Sequence, residues 1–312
     1  MEPVLDVGLP VFAILAIGWV AGRFGPFGAN ATNVLNDFVY WIAFPALIFR
    51  AMATAPLSAT LDVPFLAAYS AGVFGTFVVA FVVGLIAFPN RPAALCLQAM
   101  AVVFANTGYM GVPLLMSAFG DPGVLPALVL TVYNAAFLVA VFVILIELDL
   151  RSEEPPLRVL AGVARAVALN PLVLAALAGV AWAATAEPLP TPIDNFCAIL
   201  GAAAAPAALV AMGLFLVGKP IRAGLREVAW LVSLKLLLQP AITAWIAFGP
   251  LALGTLQANA TVLSAALPTG SLVFVLAYRY RLYVERVTAT ILISTVLSVV
   301  TVSALLLMLD IG

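Results

Sequence analysis

VFANTGYMGVPLL, residues 103 to 115, and SAALPTGSLVFVLA, residues 264 to 277, are apolar stretches with helix-breaking residues in their middles. Pro113 has no N–H and its ring clashes with the carbonyl four residues back, while Gly108 and Gly111 tolerate backbone shapes that other residues resist. The pattern predicts an unwound segment between Asn106 and Pro113, and Pro268 with Gly270 predicts the same in the second stretch. In a bilayer, unsatisfied backbone is tolerated only where it is buried in protein or lines a cavity. Paired interruptions at corresponding places in two halves of a chain point to a transporter's binding site.

The solvent is set by composition. Of 312 residues, 65% are hydrophobic and 9% charged, and the mean hydropathy of +1.20 belongs to an integral membrane protein. A net charge of −1, from 13 basic and 14 acidic residues with no run of like charge, excludes a face for nucleic acid. Cys96 and Cys197 lie in apolar segments without C-x-x-C spacing, which favours buried free thiols. The opening MEPVLDVGLP has neither a basic region nor a cleavage site, so the first apolar run is expected to stay as a spanning helix.

An all-α fold of ten spans follows, near 5 to 23, 33 to 54, 63 to 88, 94 to 118, 124 to 147, 161 to 184, 196 to 218, 228 to 249, 257 to 278 and 287 to 309. With the N-terminus outside, the inner loops hold Arg23, Arg91, Arg151, Arg158, Arg165, Lys219, Arg222, Arg226, Arg279, Arg281 and Arg286, which is 11 of the 13 basic residues. The outer side holds Glu2, Asp6, Asp62, Asp121, Glu187, Asp194 and Asp310, with Arg50 as the one basic residue near it. Positive charge gathers on the cytoplasmic side, so both termini are expected outside.

The halves also resemble each other. PVFAILAIG from Pro10 lies over PLVLAALAG from Pro171, and FPALIF around Pro45 lies over APAALV around Pro206, both at an offset of 161 residues. The breaks align Pro113 with Pro268 at an offset of 155. Five spans per half is an odd number, so the second copy must enter the membrane from the opposite face as an inverted repeat. The first repeat is 1–147, a cytoplasmic linker follows at 148–160, and the second repeat is 161–312.

The breaks have anion-binding chemistry. Half-helix ends leave free backbone groups, and the N-terminal end of a half-helix offers donors and a positive dipole to an anion. Asn106, Thr107, Thr269 and Ser271 add uncharged hydrogen-bonding side chains, and Gly108, Tyr109, Gly111 and Gly270 complete the candidate site. For Pro45, Pro171, Pro206 and Pro240 a packing kink is the better account. Lys235 lies seven residues past Val228, roughly 10 Å along its helix, with Gln239 one turn further on. It can serve as a counter-charge to an anionic substrate or to the carbonyl ends of a broken helix, or it can snorkel to the inner surface. The pair could together form a polar path.

NTGYMGVPL at 106 to 114, supported by LPTG at 267 to 270, the ten spans and the short inner loop, resembles the auxin efflux carrier family in its compact prokaryotic form. The likeness covers nearly the whole chain. It implies a scaffold of spans 1, 2, 6 and 7, a moving transport domain of spans 3–5 and 8–10, and a crossover of spans 4 and 9 at Pro113 and Pro268. It further implies a homodimer formed through the scaffold, and substrate contacts from Asn106 and Asn134.

The expected function is secondary transport of a small organic anion, a carboxylate or dicarboxylate such as malonate or malate, across a bacterial inner membrane by an elevator-like movement. The alternatives are an exporter of auxin-like weak acids and an anion channel. A membrane enzyme is disfavoured, because the chain has no histidine and two unpaired cysteines, which removes the usual catalytic sets. No cofactor is expected. Coupling could use protons, through the substrate or through Asp37 and Glu147, or sodium, through carbonyls at the breaks.

Overall fold

Long apolar runs bounded by proline, glycine or a polar cap fold as helices throughout the computed structural model, which describes residues 9–25, 27, 30–56, 62–150, 156–218, 224–309 and 311. In order these are α1 Leu9–Phe24, α2 Ala31–Thr54, α3 Val63–Ala87, α4 Pro92–Val103, α5 Val112–Phe119, α6 Asp121–Leu150 and α7 Pro156–Ala168. They continue with α8 Pro171–Ala183, α9 Thr191–Leu216, α10 Leu225–Phe248, α11 Thr255–Ala266, α12 Leu272–Tyr280 and α13 Val284–Met308. Among the described residues, α2, α3, α6, α9, α10 and α13 are each long and apolar enough to cross a membrane. The chain is an all-α membrane protein. Glu2, Asp6, Arg151, Lys219, Arg222 and Asp310 of the charge tally, and residues 151–155 of the linker, lie outside the described residues.

Capping explains several boundaries. Asp62 accepts a hydrogen bond from the Phe65 N–H at 3.0 Å and starts α3. Asp149, at the end of α6, accepts from the Ala93 N–H at 3.1 Å and from Arg91 at 3.0 Å, so one carboxylate caps α4 from a distance. The span expected at 161 to 184 is instead two helices, α7 and α8. Proline at 171 pushes Asn170 out of the helical region, and the Asn170 side chain accepts from the Leu172 N–H at 2.9 Å to begin a new helix.

Two groups of helices emerge from the packing. In the first, α1 lies along the second half of α9, and the second half of α2 lies against α8 and the first half of α9. In the second, α3 packs on α4, α10 and α11, α4 packs on the end of α6, and α13 packs on α10 and α12. A contact made twice organises the first group. A Cβ at Gly18 would lie 2.5 Å from the Val210 carbonyl oxygen, and a Cβ at Gly179 would lie 2.7 Å from the Phe49 carbonyl oxygen. Gly179 lies 161 residues after Gly18, and Val210 lies 161 residues after Phe49. The same helix approach, which only glycine permits, thus occurs in both halves at the offset read from the sequence.

Charged pairs tie the helix ends. Arg50, assigned to the outer side, meets Asp194 of α9 through both carboxylate oxygens, at 2.6 and 3.2 Å. At the other end of the molecule, buried Glu227 of α10 accepts from Gln98 of α4 at 3.1 Å, from Arg286 of α13 at 2.8 Å and from the Tyr283 hydroxyl. Glu147 accepts from the Tyr280 hydroxyl at 2.9 Å, joining α6 to α12. Cys96 and Cys197 are free and buried.

The close approach of α1 and α9 makes a testable demand. A Cβ at Gly213 would sit 2.1 Å from the Leu15 carbonyl oxygen. Gly213→Ala is expected to destabilise the protein by about 1–3 kcal/mol through overpacking and to lower its thermal midpoint in detergent. Gly162→Ala, where a Cβ meets nothing within 4 Å, is the control and is expected to leave the midpoint unchanged or raise it.

Candidate functional site

The two interrupted segments meet each other. After α4 the chain is extended at Phe104 and Ala105, and after α11 it is extended at Leu267, the conformation that a following proline demands. Ala105 and Thr269 pair antiparallel: the Asn106 N–H donates to the Pro268 carbonyl and the Gly270 N–H to the Phe104 carbonyl, each at 2.9 Å. The Thr269 hydroxyl donates to the Ala101 carbonyl at 2.6 Å, and its N–H donates to the Ser294 hydroxyl at 3.2 Å. Glycine is needed for this closeness, since a Cβ at Gly270 would lie 2.9 Å from the Phe104 ring and one at Gly111 would lie 2.9 Å from Leu267.

The unwound piece is shorter and earlier than the residues 106 to 113 expected from the sequence. Helical backbone resumes as a wide π turn at Thr107–Gly111, and Pro113 sits in the first turn of α5. That first turn is where a missing N–H costs least. The π turn takes up the register change that proline imposes.

A cavity of about 1020 Å³ opens beside this crossover. One wall is the crossover with α6: Phe104 to Tyr109, Gly270, Ser271, Leu272, Thr131 and Asn134. The facing wall comes from the first group of helices, with Asn33, Asn36, Asp37, Tyr40 and Phe44 of α2, Asn170 before α8, and Leu214 and Phe215 of α9. The cavity therefore lies between the two groups, and it extends to Gly22, Phe27 and Thr32 at the end of α1 and the start of α2.

Polar groups converge on it. The Asn134 amide, at the head of a second π turn, donates to the Thr107 hydroxyl at 3.0 Å and to the buried Tyr69 hydroxyl at 3.2 Å. Its carbonyl oxygen is buried without a partner among the described residues, as is the amide nitrogen of Asn106. These residues are 2% and 4% exposed, and unmet buried polar groups facing a cavity mark where a ligand or water binds. Neither Asn106 nor Ser271 caps its helix with its side chain. Of the first-turn N–H groups, that of Thr107 donates to the Ala105 carbonyl at 2.9 Å, that of Val273 to Gly270 at 3.3 Å and that of Phe274 to Ser271 at 3.0 Å, and the N-terminal ends of the π turn and of α12 border the cavity.

The structure brings Asn106, Thr107, Gly108, Tyr109, Asn134, Gly270 and Ser271 together on the cavity wall. Gly111, Pro113, Pro268 and Thr269 lie behind it and shape the crossover. Lys235 and Gln239 are fully buried and do not line the cavity. The α2 wall was not read from the sequence. Its signal is there, since Asn33, Asn36, Asp37, Tyr40 and Phe44 recur at spacings of three and four, which is one helical face. Tyr69 carries no such signal, because a tyrosine in a long apolar helix reads as packing.

The family model "Membrane transport protein" matches residues 3–306. A Rhizobium meliloti protein named "Putative malonate transporter" is 32% identical over 318 residues, covering 100% of this chain and 98% of its own length. A Methanothermobacter thermautotrophicus protein named "Uncharacterized transporter" is 27% identical over 296 residues, covering 94% of each chain. The chain belongs to the membrane transport protein family, the auxin efflux carriers that the NTGYMGVPL stretch at 106 to 114 resembles.

Proposed function

We propose that the protein is a secondary carrier of a small organic anion, a carboxylate or dicarboxylate of the malonate or malate kind. The observation that carries this reading is the cavity at the crossover, where two half-helix N-terminal ends and the unpaired Asn106 amide converge on one space. Such donors suit a carboxylate and need no fixed cation. The Rhizobium relative's name supports the malonate class.

In this reading the chain has ten membrane segments in a five-plus-five inverted repeat, supported by the glycine contact repeated at an offset of 161. The first group, α1, α2, α8 and α9, is the scaffold and the site of homodimerisation. The second group is the transport domain, and it moves the crossover relative to the scaffold as an elevator does. The protein sits in the bacterial inner membrane with both termini outside, so the cavity, reaching the Arg23 end of α1, faces inward. An auxin-like weak acid is the second reading. The rings of Phe44 and Tyr109, with centroids 6.1 Å apart, favour it because they offer an aromatic surface at the crossover.

Two experiments test the site and the orientation. Asn106→Ala keeps the backbone bond to Pro268 and removes only the unpaired amide. It is expected to raise the KM for malonate uptake into vesicles about tenfold, near 1.4 kcal/mol, with little change in thermal midpoint. Unchanged uptake would sink the site, and stabilisation of the wild type by indole acetate but not by malonate would favour the second reading. For the orientation, a membrane-impermeant maleimide is expected to label Thr185→Cys from outside intact cells and Gly162→Cys only after permeabilisation. Both native cysteines are buried, at 5% exposure each, and should give little background.

A further inference from the structure

Helices α4 and α11 both end at the crossover, and each brings its C-terminus there. A helix C-terminus carries roughly half a negative charge and up to four carbonyls without intrahelical donors. At membrane depth no water is at hand to meet them. Several of these carbonyls are accounted for within the crossover. Met100 accepts from the Phe104 N–H at 2.9 Å, Ser264 from the Leu267 N–H at 3.4 Å, and Ala101 from the Thr269 hydroxyl.

The next two are met from outside it, by a single pair of side chains on α10. The Lys235 ammonium donates to the Ala265 carbonyl at 2.9 Å, at the end of α11. The Gln239 amide donates to the Val103 carbonyl at 3.2 Å, at the end of α4. Lysine and glutamine are joined to each other, the ammonium donating to the Gln239 side-chain oxygen at 2.5 Å. Both are fully buried, Lys235 within a π turn at Leu234–Leu238 and Gln239 directly after it. Among the described residues no carboxylate forms an ion pair with Lys235.

A buried ammonium without a counter-anion is costly, yet here the C-terminal end of α11 meets it directly and that of α4 reaches it through Gln239, two ends of roughly half a negative charge each. The oxygens on the nitrogen, the Ala265 carbonyl and the Gln239 amide, are hard ligands of the kind that a dehydrated alkali cation takes at half-helix C-termini. We propose that Lys235 is a built-in cation: its ammonium occupies the place between the two half-helix ends that a bound sodium ion would otherwise fill, and the protein works without sodium. Lys235 is a positioning residue. It touches no substrate, and it holds the crossover so that the opposite, N-terminal ends present their donors to the cavity.

The test compares thermal midpoint and malonate uptake in sodium chloride and in N-methylglucamine chloride at equal ionic strength. The midpoint arm stands whether or not malonate is the substrate, so failure of the proposed transport reading and failure of this one are distinguishable. The wild type is expected to behave alike in both salts. Lys235→Ala is expected to lower the midpoint and cut uptake about tenfold in N-methylglucamine, and to regain both with sodium or n-butylammonium. Lys235→Met, which fills the space without charge, is expected to show the loss without rescue. If Lys235→Ala cannot be purified, Gln239→Leu replaces it; it cuts the link to Val103 and is expected to lower the midpoint equally in both salts, because the ammonium remains. A wild type that needs sodium, a Lys235→Met protein equal to the wild type, a Lys235→Ala protein that no cation rescues, or a Gln239→Leu midpoint equal to the wild type's would each overturn the proposal.

Discussion

Two backbone hydrogen bonds hold the rest of the structure in place: Asn106 to Pro268 and Gly270 to Phe104, one on each side of the Ala105–Thr269 pair. Both segments are broken helices in an apolar molecule, so each exposes backbone that the membrane cannot hydrate. Pairing the breaks with each other answers part of that need with no other element involved. It also fixes the geometry, because the antiparallel register decides which helix ends face the cavity. The glycines at 111 and 270 are then steric requirements of the pair as well as helix breakers.

The pairing divides the site by charge. N-terminal ends, at the Thr107–Gly111 turn and at Leu272, border the cavity. C-terminal ends, at Val103 and Ala265, are turned to α10 and satisfied there by Gln239 and Lys235. The positive dipole ends thus border the cavity, while the negative ends are hydrogen-bonded away from it. The unmet Asn106 amide adds a donor on the same side.

Much of this was legible in the sequence, and the reasons are physical. A bilayer demands long apolar runs, so the helices stand out, and proline with glycine in such a run has few uses other than a break. The 161-residue offset led to the expectation of a repeat, and one glycine contact, Gly18 on Val210 and Gly179 on Phe49, recurs at that offset. The limits of the break were not legible, because Pro113 fits the first turn of α5 as well as it fits a break, and nothing local announces the π turn before it. The division of the sixth span at Asn170 could have been read from an asparagine before a proline, which is a capping signal. The α2 wall shows a regular polar stripe, but a stripe does not say which neighbour it faces. Tyr69 and the Lys235 bond to Ala265 depend on tertiary contacts alone.

The same hydrogen bonds bear on how a ligand could change sides. Breaking the crossover at membrane depth would leave several backbone groups unmet, at a cost of several kcal/mol for each. The contacts between the two groups of helices around the cavity are of another kind. Phe44 lies against Tyr109, with its ring also within van der Waals reach of a Cβ at Gly108, and the second half of α9 lies along the Thr107–Gly111 turn. Apolar and aromatic surfaces can slide without orphaning a polar group. The second group is also tied within itself at its far end, where Glu227 joins α4, α10 and α13, and Glu147 joins α6 to α12. Displacement of that group as one body would keep the crossover bonds intact, and this is the physical argument behind the elevator movement proposed above.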